Sequence, residues 1–322
     1  MTLAELPSWR GLADDPGRVL ALIDAWATGA AMAELVAAFH GTLPEASGEA
    51  VLAWLDGFSA EHWDFRAGHE RNLATRPRLD DDQERLALSL AAPLGLADRT
   101  APSADHYDVV LMTGGMIRAG LVKPRFVAEL IEAGLSVDRV VFLGGFRPFA
   151  GDELGLREAL GVAGDNEFDA MVAGMDAAFG PLGAPEVDEF VGDGQNASWC
   201  EYRWETPLGR FAVLAAPSSE PSRRRANSAD TFEFWARHRR CAGEGSALVV
   251  TTPIYVPYQG AAAVEILGLS HGFAVETVGT SDRAADLGEL SQVFLPAHHL
   301  QELRSAIRAM RSLRAAVRSR RP

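Results

Sequence analysis

The sequence is poor in cysteine and lysine, and each shortage limits what the protein can be. Its two cysteines, Cys200 and Cys241, form no CxxC pair, which disfavours a structural disulfide or a cysteine metal site. Lys123 is the lone lysine among 30 basic residues, which we interpret as a coding-composition bias toward arginine. The formal net charge of −14 disfavours broad nucleic-acid binding, because such binding depends on neutralising phosphates.

Membrane and targeting signals are missing as well. No apolar stretch in the sequence approaches the roughly 20 residues that cross a bilayer. Residues 1–6 contain neither the basic region nor the apolar core of a signal peptide. We therefore expect a cytoplasmic protein without membrane contact.

Several named catalytic and binding signatures are absent. The sequence contains no GxGxxG and no P-loop, so no nucleotide motif can be named. It has no HExxH or other ligand spacing among its eight histidines, and no GxSxG elbow. A zinc enzyme and an ordinary α/β-hydrolase are therefore disfavoured, and no metal site is predicted.

The pattern of the chain divides it into two parts. Residues 1–102 carry apolar stripes at three- and four-residue spacing, which predicts a helical subdomain. Residues 103–322 alternate strand, loop and helix, which predicts an α/β domain. Within that domain, residues 150–195 form an acidic insertion, which we interpret as a solvated face, and a basic helix closes the chain.

Four short apolar runs define the predicted sheet. Residues 109–112, 140–143, 212–215 and 248–250 are unbroken and rich in β-branched residues, as in strands that are buried on both faces. A helical segment separates the first two runs, which favours parallel pairing. Ligands of open α/β sheets bind beyond the carboxyl ends of the strands. The sequence therefore predicts a mostly parallel sheet with a ligand site at that edge.

Polar and glycine residues follow each of these runs and form the candidate site. Glycine lets the backbone turn sharply and frees amide groups for a phosphate or a carboxylate, although single glycine pairs are also common in plain tight turns. The predicted binding residues are Thr113, Gly114, Gly115, Gly144, Gly145, Arg147, Ser218, Ser219, Thr231, Thr251, Thr252 and Gln259.

Two further residues are candidates for catalysis. Glu220 follows the third run and is suited to bind a ribose or an amine or to act as a base, or else to cap the next helix. Tyr255 lies in a loop stiffened by two prolines and offers a flat face and a hydroxyl group. The alternative for this loop is plain packing of the helix that follows.

The C-terminal helix carries five arginines on one face. Arg304, Arg308, Arg311, Arg314 and Arg318 follow one another at steps of three or four residues. Such a stripe is typical of a solvated helix. It also fits a face that contacts RNA or an acidic partner, so a tRNA ligand stays open as an alternative.

The order of these strand ends resembles the domain-of-unknown-function-218 family, the SanA-like and YdcF-like bacterial proteins. The matching positions are Thr113-Gly114-Gly115, Arg125, Gly144-Gly145, Glu220, Asn227, Thr231, Glu233, Thr251-Thr252, Tyr255 and Gln259. The family histidine falls at Val256 or Pro257, and Gln259 replaces its arginine. The resemblance implies a Rossmann-like, three-layer α/β fold with a nucleotide or S-adenosylmethionine as ligand.

Together these observations predict an enzyme or a ligand-binding protein of bacterial small-molecule metabolism. Its ligand is expected to be anionic and nucleotide-like or similar to S-adenosylmethionine, and a transferase is the favoured class if the protein is an enzyme. The alternatives are a tRNA-dependent transferase that uses the basic C-terminal helix, and a noncatalytic protein that binds a partner.

Overall fold

A mixed, mostly parallel β-sheet forms the centre of the protein. The structure is a computed structural model that describes residues 3–11, 14–65, 78–98, 100–281 and 287–320. The strands are β1 (Trp9–Arg10), β2 (His106–Tyr107), β3 (Val109–Thr113), β4 (Ser136–Val137), β5 (Arg139–Gly144), β6 (Glu186–Phe190), β7 (Trp199–Thr206), β8 (Gly209–Ala215), β9 (Ser246–Thr251) and β10 (Ala274–Gly279).

The helices pack on both faces of this sheet. In the described residues they are α1 (Pro16–Thr28), α2 (Ala30–Ala38), α3 (Glu49–His62), α4 (Asp81–Ser89), α5 (Ile117–Glu132), α6 (Glu153–Ala159), α7 (Glu167–Phe179), α8 (Ser228–His238), α9 (Val256–Ala263) and α10 (Pro296–Ser319). A π-helical turn, Val264–Ser270, continues α9.

The strand order explains where a ligand can bind. The main sheet runs β1-β10-β9-β3-β5-β8-β7-β6, and its five central strands are parallel. From β3 the chain proceeds to β5 and β8 on one side, and it then returns to β9 and β10 on the other. Because the connections diverge between β3 and β9, a crevice opens there at the carboxyl ends of the strands. The α/β class and the mostly parallel sheet are thus confirmed.

Alternation along the strands separates two apolar cores. Leu111 and Val249 belong to the core shared with α8, α9, α10 and the N-terminal helices. Met112 and Val250 belong to the core shared with α5 and α7. Side chains of a strand point alternately to opposite faces, so each buried strand contributes to both cores.

The N-terminal helices do not form a core of their own. They share one apolar cluster with α10, and β1 pairs with β10 at the edge of the sheet. The first apolar stripe of residues 1–102 is divided into two helices, because the chain is extended at Gly29 between α1 and α2. N-terminal helices are confirmed, and the 102/103 boundary stays a prediction.

The expectation that no segment is long and apolar enough to cross a membrane is wrong. Residues Pro16–Ala38 contain a window of mean hydropathy 1.6. In the fold, however, 44% of this window is buried. Core helices pass the same test of length and composition, so the segment is weak evidence for a membrane span. The cytoplasmic location stays a prediction.

The acidic insertion is more than a solvated face. Its helix α7 packs closely along α5 and places Met171 and Met175 in one apolar core. Pro124 lies inside α5 and has no N–H to bond the carbonyl of Gly120. Gly174 of α7 lies directly against that carbonyl, since a Cβ built on it would be 1.9 Å from the Gly120 oxygen.

Candidate functional site

A cavity of about 1210 Å³ lies at the carboxyl ends of the parallel strands. Its floor is formed by the turns that follow β3 and β5, at Gly114-Gly115 and Gly144-Gly145. The opposite wall consists of the first turns of α9 and one face of α10. The cavity thus occupies the crevice that the strand order creates.

Two carboxylates of the chain itself occupy the turn after β3. Glu167 Oε1 accepts a hydrogen bond from the Gly115 amide at 2.8 Å, and Glu153 Oε1 accepts one from the Ile117 amide at 2.8 Å. These amides are the groups that a phosphate would use at a glycine turn and helix start. Because carboxylates already accept from both amides, the turn does not present them to an anionic ligand.

Glu167 requires glycine at the first position of each floor turn, at Gly114 and Gly144. A Cβ on Gly114 would lie 1.8 Å from Glu167 Oε1, and one on Gly144 would lie 2.9 Å from the same oxygen and 2.7 Å from Met171 Sδ. The absence of side chains therefore admits an internal carboxylate. Close approach thus explains the first glycine of each pair, and the approaching group belongs to the protein.

Arg147 links the two carboxylates. Its guanidinium donates to both oxygens of Glu153, at 2.7 and 2.8 Å, and its Nε lies 3.4 Å from Glu167 Oε2. Burial alone would raise the pKa of Glu153, but the pair with Arg147 outweighs burial and lowers that pKa. At Glu167 burial dominates, and the pKa is raised despite Arg147 and Arg225.

The lone lysine lies beneath this floor. Lys123 is 1% exposed, and its ammonium group donates to the carbonyls of Thr113 at 2.5 Å and Gly114 at 3.0 Å. Burial lowers the pKa of Lys123 to about 7, although the charge of Glu167 opposes this effect. Perturbed pairs of this kind in a cleft are typical of functional sites.

A hydrogen-bonded chain connects the floor to the opposite wall. Gln259 Oε1 accepts from the hydroxyls of Thr113, at 2.9 Å, and of Thr251. Gln259 Nε2 donates to Ser228 Oγ at 2.7 Å. Thr113 and Thr251 are buried, so they hold Gln259 in place and do not themselves line the cavity.

The opposite wall is aromatic and partly basic. Tyr255 and Tyr258 of the α9 region line the cavity, and burial together with the charge of Glu302 raises the pKa of Tyr258. Arg308 of α10 also lines it, is exposed, and forms no ion pair with the described part of the chain. This wall therefore offers flat rings and an available guanidinium.

Most of the predicted site residues meet at this cavity. The nine that line it are Gly114, Gly115, Gly144, Gly145, Arg147, Thr231, Thr252, Tyr255 and Gln259. Their common position follows from the carboxyl ends of adjacent parallel strands.

Three predicted residues after β8, Ser218, Ser219 and Glu220, lie outside the cavity lining. Ser218 Oγ accepts from the Glu220 amide at 3.0 Å, and the Ser219 amide donates to Asp230 at 3.2 Å. Glu220 is exposed and pairs with Arg224 and Arg223, which lower its pKa. This environment does not favour Glu220 as a base, and its catalytic role stays a prediction.

The structure divides the arginine stripe of α10. Arg304 lies 3.4 Å from Asp56, and Arg311 pairs with Asp56 and Glu49. Arg314 is buried and pairs with Asp24 at 2.5 Å. Three of the five arginines therefore bind carboxylates of α1 and α3, whereas Arg308 and Arg318 are exposed, and the tRNA alternative stays a prediction.

Sequence reasoning missed the ionic floor of the site. From the sequence, Glu153 and Glu167 fall in an acidic insertion interpreted as a solvated face, and Lys123 reflects only the arginine-rich composition. The lone lysine of an arginine-rich chain is the signal that could have found it, because Lys123 departs from the composition of the rest of the sequence. Nothing in the local sequence indicates that Glu167 reaches Gly115, 52 positions away.

Comparisons with known proteins give a family without a stated activity. Residues 10–95 match the family described as the Rv3785 N-terminal domain. Over 319 residues the chain is 35% identical to "Uncharacterized protein Rv3785" of Mycobacterium tuberculosis and to "Uncharacterized protein Mb3814" of Mycobacterium bovis, with 91% of this chain and 88% of each relative covered. No solved structure matches. The assignment to the domain-of-unknown-function-218 family is therefore wrong, because the match is to a different family.

Proposed function

The chain belongs to the family of the mycobacterial protein Rv3785, and we propose that it binds a nucleotide-sized ligand with an anionic group in the cavity at the carboxyl edge of its sheet. The single observation that carries this proposal is the position of the cavity. It extends over the carboxyl ends of β9, β3, β5 and β8 and includes the point between β3 and β9 where the connections of the parallel strands diverge. The strand order and the helices on both faces support a Rossmann-like, three-layer arrangement, in which ligands bind at this point.

The cavity wall formed by α10 is the part that binds the anionic group of the ligand in this proposal. The amides of the floor donate to Glu167 and Glu153, whereas Arg308 is exposed to the cavity and forms no ion pair with the residues that the structure describes. An exposed arginine of this kind can bind a carboxylate or a phosphate through two parallel hydrogen bonds, in a bidentate geometry. Tyr255 and Tyr258 supply ring faces for an adenine-like group. Adenine nucleotides and S-adenosylmethionine fit this combination.

The reaction class we propose is group transfer. Glu167 and Tyr255 both line the cavity and are the candidate acid–base groups. The raised pKa of Glu167 supports this role, because a carboxyl group transfers protons best when its pKa approaches the working pH. Burial of Lys123 also supports a role in the site. A lysine whose pKa is lowered to about 7 destabilises the fold when it is charged, so we infer that its position serves function.

Calorimetry with the purified protein tests the ligand. We expect ATP and S-adenosylmethionine to bind with one site per chain, adenosine to bind more weakly because it has no anionic group, and Arg308→Gln to weaken the binding of ATP by about 10- to 100-fold. This factor corresponds to the loss of a charged hydrogen bond. The matched control is Arg318→Gln, which removes an exposed arginine of the same helix outside the cavity.

Two outcomes would contradict the proposal. One is the absence of binding for all three compounds in calorimetry and in thermal-shift assays. The other is an equal loss of affinity in the Arg308 and Arg318 variants, because this would indicate a general charge effect.

A further inference from the structure

A histidine and two aspartates meet at the opposite edge of the sheet. His106 belongs to β2, Asp108 immediately precedes β3, and Asp138 immediately precedes β5. One ligand atom from each lies within 4.8 Å of the other two. From this geometry we propose that the three side chains bind a divalent transition-metal ion of the zinc type.

The backbone brings the three residues together firmly. β2 pairs with β4 in parallel, and β3 pairs with β5 in parallel, so the residues that precede β3 and β5 are neighbours. The Asp138 amide also donates to the Tyr107 carbonyl at 3.4 Å. His106 and Asp108 are two positions apart in extended chain and therefore point to the same side.

The hydrogen bonds around Asp108 leave one of its oxygens for a metal. Oδ2 accepts from the amides of Gly245 and Ser246, each at 2.7 Å, and from the Ser246 hydroxyl at 2.9 Å. Oδ1 instead faces His106 Nε2 at a distance of 3.5 Å. The carboxylate is thus fixed by three donors from the start of β9, with its second oxygen directed at the histidine.

A second interaction orients the histidine ring. Ser136 Oγ lies 3.2 Å from His106 Nδ1. When Nδ1 carries the proton and donates to Ser136, Nε2 presents its lone pair toward Asp108. Metal-binding histidines are commonly oriented in this way through their other ring nitrogen.

The donor set indicates the class of metal. One imidazole nitrogen and two carboxylate oxygens suit Zn²⁺ and other first-row divalent ions better than Ca²⁺, which prefers six or more oxygens. Three protein ligands leave a coordination position for water. The site lies at the amino ends of the strands, so the proposal is independent of the ligand cavity at the carboxyl ends.

Calorimetric titration with Zn²⁺ in a buffer that does not bind metals tests the site. We expect one zinc ion per chain, at least tenfold weaker binding in His106→Ala, and about tenfold weaker binding in Ser136→Ala, which disturbs only the ring orientation. The control is His238→Ala, which removes an exposed histidine of α8 and should leave the affinity unchanged.

Folding of the variants is checked by circular dichroism, and Asp138→Asn provides a second variant at an exposed position. The proposal is overturned if wild type binds no zinc, or if His106→Ala and Asp138→Asn bind it as tightly as wild type. A loss of affinity in His238→Ala that equals the loss in His106→Ala would also overturn it.

Discussion

Replacing Gly174 by alanine is expected to lower the free energy of unfolding by about 3 kcal/mol. The new Cβ would lie 1.9 Å from the Gly120 oxygen, 2.9 Å from its carbonyl carbon and 3.2 Å from Leu121 Cα. All three atoms belong to the backbone of α5, so no side chain can move aside. Helices α5 and α7 must separate, and this shifts Glu167 away from Gly114. Urea unfolding measures the change in stability. Calorimetry with ATP or S-adenosylmethionine measures the loss of ligand affinity.

The matched control is Gly57→Ala. Gly57 also lies inside a helix, but a Cβ built on it meets no atom within 4 Å. Alanine is favoured over glycine in a helix by about 1 kcal/mol, so this variant should be more stable than wild type. Equal effects of the two substitutions would show that close packing of α5 against α7 is not what requires Gly174.

Lys123 is expected to make the protein more stable as the pH rises from 7 to 9. Its pKa is about 7 in the fold, against an ordinary value of 10.5 in the unfolded chain. Between these values the unfolded chain binds a proton that the folded chain does not, so stability increases with pH. Below pH 7 both states are protonated, and the full cost of burying the charge is present. The contribution of Lys123 between pH 7 and 9 is about 2 kcal/mol.

Lys123→Met removes this contribution. Urea unfolding at pH 7, 8 and 9 should therefore show that wild type gains about 2 kcal/mol relative to the variant over this interval. Comparing wild type with the variant cancels the contributions of other groups that titrate in both proteins, such as Cys200. Arg125→Met, at an exposed arginine of the same helix, should retain the gain. A parallel pH dependence in wild type and Lys123→Met would refute the depressed pKa.

The sheet and the position of the cavity could be predicted because their signals are local. Unbroken apolar runs such as Val109–Met112 are buried on both faces, and the turns that follow them share an edge by the geometry of parallel strands. The hairpin of β7 and β8 was also predictable, since its turn at residues 207–208 lies between two β-rich segments.

The chemistry of the floor was not predictable in the same way. Glu153 and Glu167 are surrounded by other acidic residues in the sequence, and composition indicates solvent exposure for all of them. Their burial depends on contacts with Gly115, Ile117 and Arg147, which only the assembled fold brings near. Likewise, the helical period places the arginines of α10 on one face but does not reveal the carboxylates opposite them.

The protein has a single lysine, and because this lysine is buried, its side-chain amine is protected from reagents in the native state. Reagents that acylate side-chain amines have one target, and in the native state that target is enclosed beneath the Gly114-Gly115 turn. The rate at which Lys123 becomes labelled therefore measures how often the floor of the cavity opens. A ligand that closes the cavity should slow this labelling, so mass spectrometry of one residue can report occupancy without knowledge of the reaction.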